Sequence, residues 1–262
     1  MIKLQTLEQA KPGRKYLRKD TFEGHITDLI ATSQTKQPGE QAFLVEQDPN
    51  WVTPPHYHGE HQFQVVTAGH GSIGSHAVKP MCVHYSAPQT GYGPIVAREA
   101  GVSYLTLRMA GDTGAWYLHK PGSRERMQPG LKREQQHGAP QGSISALDLA
   151  QLTHTTVEVL IAPRADGLAA HLVRLAPGQA HTQASEHAYG GRFYVVTQGA
   201  VQVAQVEGPS LTVAFASADE QLALTAGPKG AEVLVLQFPL QALQAIQALD
   251  ASQAITVAAA PH

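Results

Sequence analysis

The densest run of chemically capable side chains is Pro54-Pro55-His56-Tyr57-His58-Gly59-Glu60-His61-Gln62. In extended backbone, residues two apart face the same side, so His56 and His58 aim two imidazoles one way. Neutral imidazole suits borderline cations such as Zn, Fe, Ni or Cu. Gln62 follows after a short turn and shares a face of the next strand with Gln64 and Val66. Its amide oxygen can ligate, but it is neutral; it would hold a cation more weakly than a carboxylate and leave it more electrophilic. Glu60 has the parity of His58 and could supply a carboxylate instead. Plainer readings stand beside these: two hydrogen-bonded histidines without metal, a glutamine bonded inside the fold, a solvated loop glutamate.

Other residues invite weaker readings. His61, His70, His76 and His84 read as isolated surface or hairpin histidines, with His84 facing opposite to Val83 and Tyr85. Arg108 shares a face with Tyr104 and Thr106; if that face is interior, its guanidinium can bind a substrate carboxylate. Arg192 and Tyr194 share a face of a later strand. A buried arginine needs partners, and Glu186 or Asp219 could form a salt bridge with it; an anion site is the functional alternative. Cys82 is the sole cysteine, so an intrachain disulfide and a multi-cysteine zinc site are excluded. Nothing pairs it with a base, and it reads as structural.

The elements that must position these groups repeat. Phe63-Gln64-Val65-Val66-Thr67-Ala68-Gly69 matches Phe193-Tyr194-Val195-Val196-Thr197-Gln198-Gly199, and Gly101–Arg108 matches Gly230–Gln237. The offsets are nearly equal and close to half the chain, which implies two copies of one unit. Short runs rich in β-branched and aromatic residues, at Gln41–Gln47, Phe63–Thr67, Tyr104–Met109, Val157–Ile161, Arg192–Thr197, Leu211–Phe215 and Glu232–Phe238, predict strands. Many short strands separated by turns predict an all-β sandwich or barrel. The expected organisation is a unit over 1–115, a polar Gly/Pro-bearing linker over 116–152 and a second unit over 153–262. Leu240, Leu243, Ile246 and Leu249 predict one C-terminal helix packed on the domain.

Composition narrows the class. Of 262 residues, 42% are hydrophobic, and 19 Lys+Arg face 21 Asp+Glu. That balance excludes a wholly disordered chain and argues against a dedicated nucleic-acid binder. The N-terminus lacks the apolar core of a secretory signal, and no apolar run reaches the ~18 residues a membrane span needs. The expectation is a soluble cytoplasmic protein whose partner is a small molecule, with no nucleic acid and no membrane.

His56-x-His58, three residues, Gln62, six residues, Gly69 resembles the first signature of the cupin family, in which a glutamate stands where Gln62 does. The stretch from Lys79 to Tyr92 resembles the second signature in degenerate form, with Met81-Cys82 for its Gly-Asp turn and Tyr92 at the place of the third metal-binding histidine. In the second copy His181-Thr182-Gln183 stands for His-x-His, and Arg192 falls where Gln62 does. The resemblance therefore implies a bicupin: two double-stranded β-helix, or jelly-roll, barrels, of which the N-terminal one keeps a site. It implies a divalent metal ion (Fe, Mn, Ni or Zn) on His56, His58 and Gln62, and Tyr92 as a weak ligand or a catalytic general acid or base. The function implied is that of a metal-dependent cupin such as a dioxygenase, isomerase, lyase or hydrolase. The alternative is a non-catalytic small-molecule binder or sensor. Pairing of cupin barrels implies a homodimer.

Overall fold

The computed structural model describes residues 2–31, 39–111, 114–203 and 205–244. The described residues are all-β and build two large antiparallel sheets, of nine and eight strands, each curled into a barrel, and one two-stranded sheet. The central order of the first is Val83–Ser86, Gln62–Ile73, Ile95–Arg108, Gln41–Gln47, Phe22–Ile30. The second repeats it as Thr212–Ser217, Tyr189–Val203, Ala223–Pro239, Ala169–Leu175, Thr156–Ile161. Phe63 and Phe193 hold equivalent positions, opposite Leu107 and Leu236 respectively.

Glycines mark where the two copies bend alike. Gly69 and Gly101 have φ near +70°, as do Gly199 and Gly230. A Cβ on Gly69 would stand 2.1 Å from the Gly101 carbonyl oxygen, and one on Gly199 2.2 Å from that of Gly230. Only glycine combines that dihedral with so close a backbone approach.

Strand alternation sorts side chains between two kinds of core. One set points into each barrel: Val66, Tyr92 and Tyr104 in the first, Val196, Val233 and Val235 in the second. The opposite set forms a third cluster that joins the barrels, including Phe63, Tyr85, Leu107, Phe193, Phe215 and Phe238. There Phe63 and Phe238 meet edge to face at 4.9 Å.

Sheet membership does not follow the expected domain limits. Ile2–Thr6 pairs with Thr212–Ser217 of the second barrel. Within the expected linker, Trp116–Tyr117 pairs with His56–Tyr57 and Gln135–Gly138 extends the first sheet beside Val83–Ser86. Ala146–Ala150 adds a short helix capped by Ser145. The expected C-terminal helix begins at Leu240 and is described to Gln244; Ile246 and Leu249 lie outside the described residues. Among the described residues no helix is long and apolar enough to cross a membrane.

Candidate functional site

The first barrel opens on a cavity of about 320 Å³, at the lower end of the ~300–1,000 Å³ typical of small-molecule sites. Phe22, Phe43 and Val45 give it an apolar wall; His56, His58, Tyr92 and Arg108 form its polar end. His56 comes from the two-residue strand after Pro54-Pro55, Gln62 from the start of a long strand, and Arg108 from the end of its neighbour, where Arg108 and Gln62 are register partners.

The polar end is one hydrogen-bonded chain. His56 Nδ1 donates to the Pro54 carbonyl at 2.8 Å. The neutral ring therefore accepts at Nε2, from the Tyr92 hydroxyl at 3.0 Å. Tyr92 Oη in turn accepts from Gln62 Nε2 at 2.6 Å. The Gln62 oxygen accepts from Arg108, at 3.2 Å from Nε and 3.1 Å from Nη2. Arg108 Nη2 also lies 3.1 Å from His58 Nδ1, and the guanidinium carbon sits 5.4 Å from the Phe43 ring centre. Burial, then the neighbouring His58, lowers the His56 pKa to about 3, which keeps it neutral as that chain requires. Burial likewise lowers His84 to about 3 and pushes the Tyr104 phenol up.

The structure brings His56, His58, Gln62 and Tyr92 together as the sequence predicts, and adds Arg108 at their centre. Gln62 is fully buried and Arg108 is 3% exposed. Glu60 is half-buried and does not line the cavity. His61 bonds Tyr85 through Nδ1 at 2.6 Å, outside the barrel interior. His84, read from sequence as an isolated histidine, is a correction: Val83 and Tyr85 belong to the inter-barrel cluster, so the opposite face it occupies is the interior. There it bonds Gln64 and Gln135. Its alternation with Val83 and Tyr85 was the available signal. Tyr117 had no such signal, because a two-residue strand in a polar segment leaves no period; it brings its ring 5.5 Å from that of His56. Arg192 in the second barrel bonds Gln237 Oε1 and the Gln183 carbonyl. Neither Glu186 nor Asp219 meets it; both are exposed loop residues.

No family model and no curated protein matches the chain. Solved structures do. Oxalate decarboxylase from Lactobacillus farciminis, as a formate complex, aligns with a TM-score of 0.58 at 13% identity over 90% of this chain and 86% of that one. An 11S globulin from Wrightia tinctoria, described as revealing an auxin-binding site, aligns at 0.59 and 11% identity over 91% and 83%. Salicylate 1,2-dioxygenase from Pseudoaminobacter salicylatoxidans aligns at 0.53 and 13% identity over 90% and 81%. The chain has the bicupin fold. At such identities the likeness is one of fold, and a fold does not choose a chemistry.

The chain's own residues decide whether a metal suits it. Among the described residues no group of three or more His, Cys, Asp and Glu is placed to hold one. The donors at hand are two imidazoles, an amide and a phenol, a set with no negative charge to offset a dication. Arg108 is hydrogen-bonded to the Gln62 oxygen that would ligate and touches His58 as well. At an effective dielectric of ~20, unit charges ~4 Å apart repel by ~4 kcal/mol, and a dication doubles that. As folded, these residues fit a guanidinium and not a divalent cation.

Proposed function

We propose that the first barrel of this bicupin binds a small organic anion, with Arg108 as its charge partner. The observation that carries the reading is a permanent cation built into the polar end of a cavity that Phe22, Phe43 and Val45 also line. A guanidinium offers paired donors matched to a carboxylate. His58 and Tyr92 supply polar contacts beside it, and Phe22, Phe43 and Val45 cover an apolar body. Tyr92 in this reading orients rather than reacts: its hydroxyl fixes the His56 ring and the Gln62 amide, and Gln62 aims the guanidinium. The oxalate decarboxylase neighbour is a formate complex and a salicylate dioxygenase neighbour was solved with gentisate adducts; small carboxylates of that kind are suitable probes.

Thermal melts test this against the metal reading on His56, His58 and Gln62. A ligand that binds only the folded state raises Tm. Salicylate, formate and oxalate, titrated at fixed ionic strength, should include at least one that raises Tm saturably, while salicylamide does not. Arg108→Gln should weaken that binding at least ~30-fold, the ~2 kcal/mol expected for losing one partner of a buried charged contact. Stabilisation by Mn, Fe, Ni or Zn, with one metal retained per chain and lost in a His56→Ala/His58→Ala variant, would replace this reading with a metal-dependent one.

A further inference from the structure

The second barrel contains a buried guanidinium that its own contacts leave incomplete. Arg192 is 2% exposed. It meets Gln237 Oε1 at 2.8 Å, the Gln183 carbonyl at 2.6 Å and the Tyr189 ring at 4.2 Å, all uncharged groups. Its Nη2 has no hydrogen-bond partner. Neither has the Tyr194 hydroxyl, also 2% exposed, nor Nδ1 of His171, 8% exposed.

Register puts these atoms in one place. Tyr194 and His171 flank Val235 from its two sides, and Arg192 flanks Gln237 two residues along the same strand. Residues two apart share a face, and this is the face that Val233, Val235 and Tyr194 give to the barrel core. The Arg192 guanidinium lies close enough to act on both His171 and the Tyr194 hydroxyl, but it does not meet the hydroxyl in hydrogen-bond geometry. An unmade bond on a buried polar group costs ~1–3 kcal/mol, and an uncompensated buried charge costs more. Three such groups on one interior patch indicate something missing between them.

The space around them indicates its size. Ala169, Ala214 and Ala216 stand opposite Gln237, Tyr194 and Arg192; at the matching positions the first barrel has Gln41, His84 and Ser86. The alanines are smaller than the side chains at those first-barrel positions. A water molecule could bond the orphan groups but would leave the charge unanswered. We infer that the interior of the second barrel holds a small planar monovalent oxyanion, of formate or nitrate size, on Arg192 Nη2 and Tyr194 Oη. This site is independent of the cavity at Arg108.

Calorimetric titration with sodium formate and sodium nitrate, using sodium sulfate at matched ionic strength as control, tests the inference. The Arg108→Gln variant removes the first-barrel site. In that background formate or nitrate should still bind with a stoichiometry near one and raise Tm. Adding Tyr194→Phe should weaken this binding at least tenfold while leaving the anion-free Tm unchanged or higher, because the hydroxyl it removes has no partner. In otherwise unaltered protein, Tyr194→Phe should reduce the bound equivalents by one, which keeps the test valid if Arg108→Gln folds poorly. Absence of saturable binding attributable to the second barrel, or full retention of it in Tyr194→Phe, overturns the inference. Failure of the Arg108 site alone leaves this result readable, since it removes the other equivalent.

Discussion

The two barrels carry the same pair with its ends exchanged. In the first, Gln62 begins one long strand and Arg108 ends its neighbour; in the second the equivalent positions are Arg192 and Gln237. In both, arginine Nε donates to the glutamine oxygen, at 3.2 Å and 2.8 Å. A cation and an amide across one rung therefore suit this layer of the barrel whichever strand bears which. What surrounds the pair differs. In the first barrel Arg108 faces His58, Tyr92 and a cavity. In the second, alanines and the Gln183 carbonyl close around Arg192. The same rung borders a cavity in one copy and is enclosed in the other, and its neighbours make the difference.

The largest expected contrast is acid sensitivity. His56 and His84 have folded pKa values near 3 against ~6.5 when unfolded. Their neutral forms are the ones the fold holds, so the stability they confer is complete above pH ~6.5 and is lost as pH falls toward 3. At pH 4 the loss is on the order of 3 kcal/mol for each. Urea unfolding at pH 4 and 7 should show it, and His84→Gln should flatten the pH slope. In the second barrel Ala214 holds the place of His84 and cannot titrate, and His171 is the buried histidine there whose pKa burial also lowers. A slope unchanged by His84→Gln would remove the first barrel as the acid-sensitive half.

Exchanging the pair tests whether the rung is interchangeable. Gln62→Arg alone sets two guanidinium groups against each other and should cost ~3 kcal/mol or more. Adding Arg108→Gln recreates the arrangement of the second barrel and should recover ~2 kcal/mol of that loss, a coupling typical of residues in contact. Denaturant melts of both singles and the double give the coupling directly. Additive losses would mean that the likeness of the two rungs carries no energetic meaning.

The smallest effect separates two tyrosines. Tyr92→Phe breaks bonds to both His56 and Gln62 and should destabilise by ~1–2 kcal/mol. The unbonded hydroxyl of Tyr194, which stands in the second barrel at the place of Gln64, should cost nothing to remove when no anion is present. Equal losses in the two variants would contradict the hydrogen-bond assignments.

Much of this was legible in the chain itself. The near-equal offsets of Phe63–Gly69 and Gly101–Arg108 from their copies give two units, because equal strands need equal spacing of turns and inward residues. Gln41–Gln47 is a strand with the predicted limits, since its near-continuous burial makes an apolar run unambiguous. His56-x-His58 marks the mouth of the first barrel, because a period of two fixes a shared face. Short pieces were not legible. Ile2–Thr6, Trp116–Tyr117 and Gln135–Gly138 find partners far away in sequence, and so few residues carry no period of their own.

The sequence by itself determined two β units, their internal equivalence and the shared face of His56 and His58, since spacing along a strand dictates which side chains share a face; Gln62 and Tyr92 joined them through the resemblance to the cupin signatures. Tertiary structure decided what that face meets. Closing the barrel set Arg108 against Gln62, turned the cluster toward a guanidinium instead of a dication, and brought Tyr117 over the mouth. Those contacts come from strands that are distant in the chain, and their pairing register is fixed only when the sheet closes.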